Sequence, residues 1–106
     1  MAVTIRGESD EVIDAFVSVL NDYGKRHPHA KIECYRSNSA SIRVRIIDPE
    51  FEGIDRVERH DDIWRWLEKL PEPVQFHLSR LILLTPEEAK MSFSSYEFDN
   101  PISLTL

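Results

Sequence analysis

The fold turns on residues 51–88, FEGIDRVERHDDIWRWLEKLPEPVQFHLSRLILLTPEE. This stretch reads as a tight turn, one amphipathic helix, a proline-bounded break and one buried strand. Asp55 followed three residues later by Glu58 is a capping pair, and Val57, His60, Ile63, Trp64, Leu67 and Leu70 then recur at helical spacing. At 100° per residue His60 falls near the middle of that stripe, as a packed ring, and Trp66 falls at its edge beside Arg59 and Leu70. Pro71 and Pro73 forbid continuation of the helix. Val74, Phe76, Leu78, Arg80, Ile82 and Leu84 then alternate with Gln75, His77, Ser79, Leu81 and Leu83, a strand pattern that leaves His77 on the less buried side. Thr85-Pro86-Glu87-Glu88 opens another helical turn, with acids where they suit the helix dipole. At the front of the stretch, Gly53 supplies either a positive φ or a close backbone approach, and Phe51 anchors the turn in the core.

Outward from this unit, Ser9 is the expected N-cap of a first helix whose Val12, Ile13, Phe16, Val17, Leu20 and Tyr23 share a face. Gly24 is its expected stop, just before Lys25, Arg26 and Pro28. His27 and His29 follow in a loop where cationic side chains complement the dipole, with no third ligand nearby in sequence to make a metal pair of them. Ala30, Ile32 and Cys34, and after Ser37-Asn38-Ser39 also Ile42, Val44 and Ile46, define a hairpin with one buried face. Lys31, Glu33, Tyr35, Arg43 and Arg45 lie on the other face, read as a solvated cross-strand surface. Residues 2–6 alternate weakly and form either an edge strand or a disordered terminus. Residues 91–106 carry Phe93, Tyr96 and Phe98 without a clean period. That tail packs across the domain, pairs as an extended segment or mediates self-association.

Composition bounds the class. The chain has 106 residues, 42% hydrophobic and 30% charged, which fits one folded domain with a modest core. No apolar run approaches the ~20 residues a membrane-spanning helix needs. The first residues lack the basic and apolar regions of an export signal, and one cysteine excludes an internal disulfide, so Cys34 is read as a free thiol in a cytoplasmic protein. A net charge of −6 argues against non-specific binding to phosphate backbones. No P-loop, nucleophile elbow, zinc-protease helix, EF-hand or paired-cysteine motif is present, and the chain is read as a non-enzyme.

Phe51-Glu-Gly53, then Arg59-His60, a helix, His77 and Thr85-Pro86-Glu87-Glu88, in that order, resemble the BolA family. The resemblance covers the hairpin from about Ala30 to Glu88, with a helix of the right kind before it. It implies a single α+β domain related to the KH fold: helix, β-hairpin, helix, third strand and short C-terminal helix, with a three-stranded sheet covered by helices on one face. It further implies a protein that joins monothiol glutaredoxins, in which the histidine at the position of His77 contributes to a shared 2Fe–2S cluster; imidazole is a credible ligand there. In the family a second ligand comes from the hairpin loop, but here residues 36–40 read RSNSA, with neither cysteine nor histidine. Cys34 is the nearest substitute, and its alternation places it toward the core. No cofactor is expected in isolation, and cluster retention with a glutaredoxin is expected to be weak or nil.

Two functions follow as expectations. The first is a protein-docking module, with Arg59, Trp66 and the C-terminal aromatics as contacts. The second is a nucleic-acid-binding regulator that uses Lys31, Arg43, Arg45 and Arg80 on a KH-like sheet. Against the second stand the negative charge and the absence of a GxxG loop, the phosphate clamp of KH domains.

Overall fold

The computed structural model of the chain describes residues 3–100. Its elements run β1 (Val3–Arg6), α1 (Glu11–Arg26), β2 (Lys31–Asn38), β3 (Ser41–Ile47), a 3₁₀ turn (Pro49–Phe51), α2 (Arg56–Leu67), α3 (Glu72–Gln75), β4 (Leu78–Leu84), α4 (Pro86–Met91) and α5 (Phe93–Asp99). The strands form one mixed sheet in the order β1-β2-β3-β4, parallel at each outer pair and antiparallel at the central hairpin. The architecture is α+β, two strand–helix–strand crossovers joined back to back by a hairpin. The three-stranded sheet that the resemblance implies gains a fourth strand, the edge-strand alternative for residues 2–6, because Val3 and Ile5 pair beside Ile32 and Cys34 and extend the same apolar face. Ala2, at the start of that expected strand, and residues 101–106 of the tail lie outside the described residues.

The main core lies between α1, α2 and one face of the sheet. Ile13, Phe16 and Leu20 of α1 meet Ile32, Cys34, Ile42, Val44 and Ile46, all fully buried, with Ile63 and Leu67 of α2. The N-cap of α1 is Asp10 rather than Ser9: its carboxylate accepts from the amides of Val12 and Ile13, both at 2.9 Å. Gly24 does not stop the helix, which runs on to Arg26 and ends at His27, ahead of Pro28. The turn into α2 follows the sequence pattern. Phe51 is 4% exposed, and Gly53 has φ +78° with open space where a Cβ would sit, so backbone conformation and not crowding selects glycine.

The apolar stripe of α2 is rotated from the expected one. Val57 is 71% exposed and His60 is exposed, while Arg59 is buried in line with Ile63 and Leu67. Spacing of four residues sets the line, and Arg59 can occupy it because backbone carbonyls and a carboxylate receive its guanidinium, as described below. Beyond Pro71 the chain makes another helical turn, so the strand begins at Leu78 and not Val74. A register shift opposite Ile42 and Arg43 puts Leu78, Leu81 and Leu83 on the main core side.

The sheet is not covered on one face only. α5 lies across the second face, and Phe98, fully buried, packs with Ile82, Leu84 and Tyr35. The Tyr35 ring meets Phe98 edge-on at 4.8 Å, and its hydroxyl donates to the Phe98 carbonyl at 2.9 Å. At its centre the expected solvated surface is therefore interior, while Lys31 stays exposed and Tyr35 and Arg43 are half-buried. Glu33 and Arg45 are each 3% exposed and paired at 2.6 Å across the hairpin. Arg45 also reaches Ser95 Oγ at 2.9 Å and Asp99 at 3.0 Å; Arg6 bridges Asp99 at 2.7 Å and contacts Glu33. Ser92 caps α5 by accepting from the Ser95 amide, which starts a helix where no period was visible.

Candidate partner-docking corner

The motif residues of the 51–88 stretch converge on one side chain. Arg59 Nε donates to Ile54 O at 2.7 Å, Nη1 to Leu83 O at 3.1 Å and to Glu88 Oε1 at 2.6 Å, and Nη2 to Phe51 O at 3.0 Å and Glu88 Oε2 at 3.2 Å. A guanidinium has five N–H groups, and all five are used. Glu88 is in turn the N3 partner of the Thr85 capping box, accepting from the Thr85 amide at 2.9 Å. Its hydrogen bonds from Arg59 first, and from the Thr85 amide next, lower its carboxyl to about 2. Arg59 was expected as a partner contact; it instead ties the turn before α2 to the end of β4 and the start of α4.

A second arginine organises the opposite end of the sheet. Arg36, at the tip of β2, forks onto Asp10 with Nε at 2.6 Å and Nη2 at 3.1 Å, while Nη1 donates to Asn38 O at 3.2 Å and Ser39 O at 3.0 Å. The same Nη1 stands 3.4 Å from His77 Nδ1. Nη1 has two hydrogens, already directed at Asn38 O and Ser39 O, so the imidazole meets it as a close polar contact rather than a third full hydrogen bond. The Arg36 hydrogen bond, then the Ile13 amide, lowers the Asp10 carboxyl to about 2. His77 is half-buried immediately before β4, its carbonyl accepting the Ile42 amide at 2.6 Å, and its neighbour Phe76 is 80% exposed. The start of α1, the hairpin loop, His77 and Phe76 thus meet at one corner.

The residues there do not fit a shared iron–sulfur cluster. The hairpin loop contributes a guanidinium and carbonyls in place of a thiolate, and the guanidinium faces the imidazole. Cys34 is fully buried on the core side of β2, and burial raises its thiol to about 11, far from the thiolate a metal needs. The structure does not bring Cys34 to the surface beside His77.

Trp66 is half-buried against Tyr23, ring edge to face at 6.0 Å, with Lys69 Nζ 4.4 Å and the Arg26 guanidinium 5.8 Å from its ring. Of the basic set, Lys31 and Arg80 are exposed, Arg45 is interior, and Arg43 is paired with Glu97 at 3.0 Å. α5 places carboxylates on two of the four cations. Sequence reading missed Asp10, Arg36 and Phe76 at the corner, and a contact as distant in sequence as Asp10 with Arg36 leaves no periodic signal.

The fold and these two arginine centres define a small α+β domain with a polar, histidine-bearing corner beside one exposed phenylalanine. Neither a family model, nor a curated protein, nor a solved structure matches the chain.

Proposed function

We propose that this chain is a non-enzymatic, BolA-like docking module of the cytoplasm, and that it receives a protein partner of the monothiol glutaredoxin kind at the Phe76–His77 corner. The exposure of Phe76 beside His77 carries the reading: an aromatic ring 80% in water, set next to a half-buried imidazole and a rigid arginine bridge, is the form of an interface anchor. The order helix, hairpin, helix, strand, with β4 parallel to β3, supports the likeness to the family, as does the convergence of the FEG, RH and TPEE motifs on Arg59. Docking proceeds without a stable cluster, because one imidazole is the only ligand the corner offers. The nucleic-acid reading is weaker, since Arg43 and Arg45 already face Glu97, Glu33 and Asp99.

The test is calorimetric titration with a monothiol glutaredoxin, followed by gel filtration after reconstitution with glutathione, iron and sulfide. Binding should weaken at least about tenfold in Phe76→Ser, and no cluster absorption should co-elute. Absence of binding, or binding that Phe76→Ser leaves unchanged, overturns the docking corner. A coloured complex that His77→Ala bleaches overturns the reading that no cluster is shared.

A further inference from the structure

At the end of α1, away from the corner, three side chains converge that sequence spacing keeps apart. His27 Nδ1 lies 2.9 Å from Glu50 Oε2 and 3.3 Å from Asp48 Oδ2, and the three ligand atoms all fall within 4.8 Å of one another. His27 is the C-cap of α1, and its ring is fixed by stacking on Tyr23 at 4.1 Å and 9°. Asp48 directly follows β3 and caps the 3₁₀ turn, Oδ1 accepting the Glu50 amide at 2.9 Å. Its Oδ2 accepts from the Tyr23 hydroxyl at 2.7 Å, so both carboxylate oxygens are oriented by donors. Asp48 is fully buried, the His27 side chain is 27% exposed and the Glu50 side chain 53%.

Two carboxylates and one imidazole leave this cluster negative whether or not the ring is protonated. Asp48 already accepts from the Tyr23 hydroxyl and the Glu50 amide, and its carboxylate neighbour Glu50 brings a further negative charge that a cation between the three ligand atoms offsets. We propose that His27, Asp48 and Glu50 form a divalent-cation site, and that its chemistry suits zinc. The donor set is one imidazole nitrogen and two carboxylate oxygens, whose two charges balance a divalent ion. Bonds of about 2.0–2.2 Å at tetrahedral angles give ligand edges of roughly 3.3–3.6 Å. The His27–Asp48 separation of 3.3 Å already matches, the His27–Glu50 separation of 2.9 Å needs to open slightly, and Glu50, the exposed ligand, is the one free to adjust to the third edge, which lies within 4.8 Å. Tyr23 is the positioning residue: it stacks on one ligand and donates to another, the outer-shell arrangement that orients metal-bound groups. A cavity of about 290 Å³ adjoins the cluster, lined by Tyr23, His27, Glu50, Asp62 and Trp66 among others. It gives an ion a path in and leaves coordination positions open to water.

The experiment titrates Zn²⁺ alone into the metal-stripped full chain against a chromophoric chelator, and repeats the titration with Co²⁺ while following the visible bands of a low-symmetry site. The expected result is one equivalent bound, with affinity falling at least about tenfold in His27→Gln, in Glu50→Gln and in Tyr23→Phe. Glu50 is largely exposed, so Glu50→Gln reads the site even where a change at buried Asp48 would unfold the chain. Far-ultraviolet circular dichroism without metal confirms that each variant is folded. Binding that persists unchanged in His27→Gln and Glu50→Gln locates the ion elsewhere and overturns the proposal. No stoichiometric binding to the native chain overturns it as well, and leaves the cluster an ion-pair network.

Discussion

Replacing Arg59 by methionine keeps much of the side-chain length and removes all five donors at once. The carbonyls of Phe51, Ile54 and Leu83 each lose a hydrogen bond, and Glu88 loses the fork that lowers its carboxyl to about 2. Breaking a buried pair from one side costs about 3–5 kcal/mol. The Glu88 side chain is 40% exposed, so water recovers part of its charge, and the methionine stem gains some apolar burial. A net loss of about 2–4 kcal/mol follows, a large share of the roughly 5–15 kcal/mol that holds a domain folded. Urea unfolding measures it directly. The midpoint should fall with little change in slope, since the surface exposed on unfolding is nearly the same. Glu88→Gln should cost only about 1 kcal/mol, because the amide oxygen still accepts from Arg59 and the three carbonyls keep their donors. The double variant should show a coupling of about 1–2 kcal/mol between the two positions. An Arg59→Met variant within 0.5 kcal/mol of the native chain, to take a rough threshold for an unremarkable surface change, would refute this account of the buried guanidinium.

Gly53→Ala should destabilise by about 1 kcal/mol, read by thermal melting; the space at Gly53 is open, so the cost is that of φ +78° alone and a loss above roughly 3 kcal/mol would mean steric conflict. Phe98→Ala should cost about 3–5 kcal/mol by urea unfolding, because the fully buried ring fills the second face between Tyr35, Ile82 and Leu84; near-neutral behaviour would show α5 to be dispensable. Acid should destabilise the chain between about pH 4.5 and 2: Glu88, Asp10 and Asp99 have lowered folded-state values, so the unfolded chain binds more protons in that window and stability present above it is lost as pH falls. Arg59→Met should flatten the Glu88 share of that acid limb, and an unchanged profile would count against the pairing.

The parts of the fold that depend on local rules were legible. Helix starts at Asp55 and Thr85, the turn at Gly53 and the hairpin register from Ile32 to Ile46 each follow from a few neighbouring residues, whereas α2 ends at Leu67, short of the expected stop at Pro71, which caps the next helical turn. Misreadings arose where a distant group changed the cost of burial. A helical wheel ranks Arg59 as surface and Val57 as core, and it cannot know that the carbonyls of residues 51, 54 and 83 converge on the guanidinium. The polar face of the hairpin looked solvated because Glu33 and Arg45 are charged, yet their direct cross-strand pairing lets α5 cover them. The same limit applies to the sites. His77 was singled out, but its neighbour Arg36 and the Asp10 behind it were not, and His27 gave no sign that it would meet Asp48 and Glu50.

The back-to-back arrangement of crossovers also dictates an order of assembly. Only β2 and β3 are joined by a tight turn, so theirs is the one strand pairing that forms by closing a short loop; β1 must wait for α1 to complete its span, and β4 for α2 and α3. Search time is therefore concentrated in bringing two distant strands to the flanks of a preformed ribbon, each carried there by its own helix. Refolding kinetics of such a chain are governed by chain closure at the edges of the sheet rather than by the hairpin at its centre.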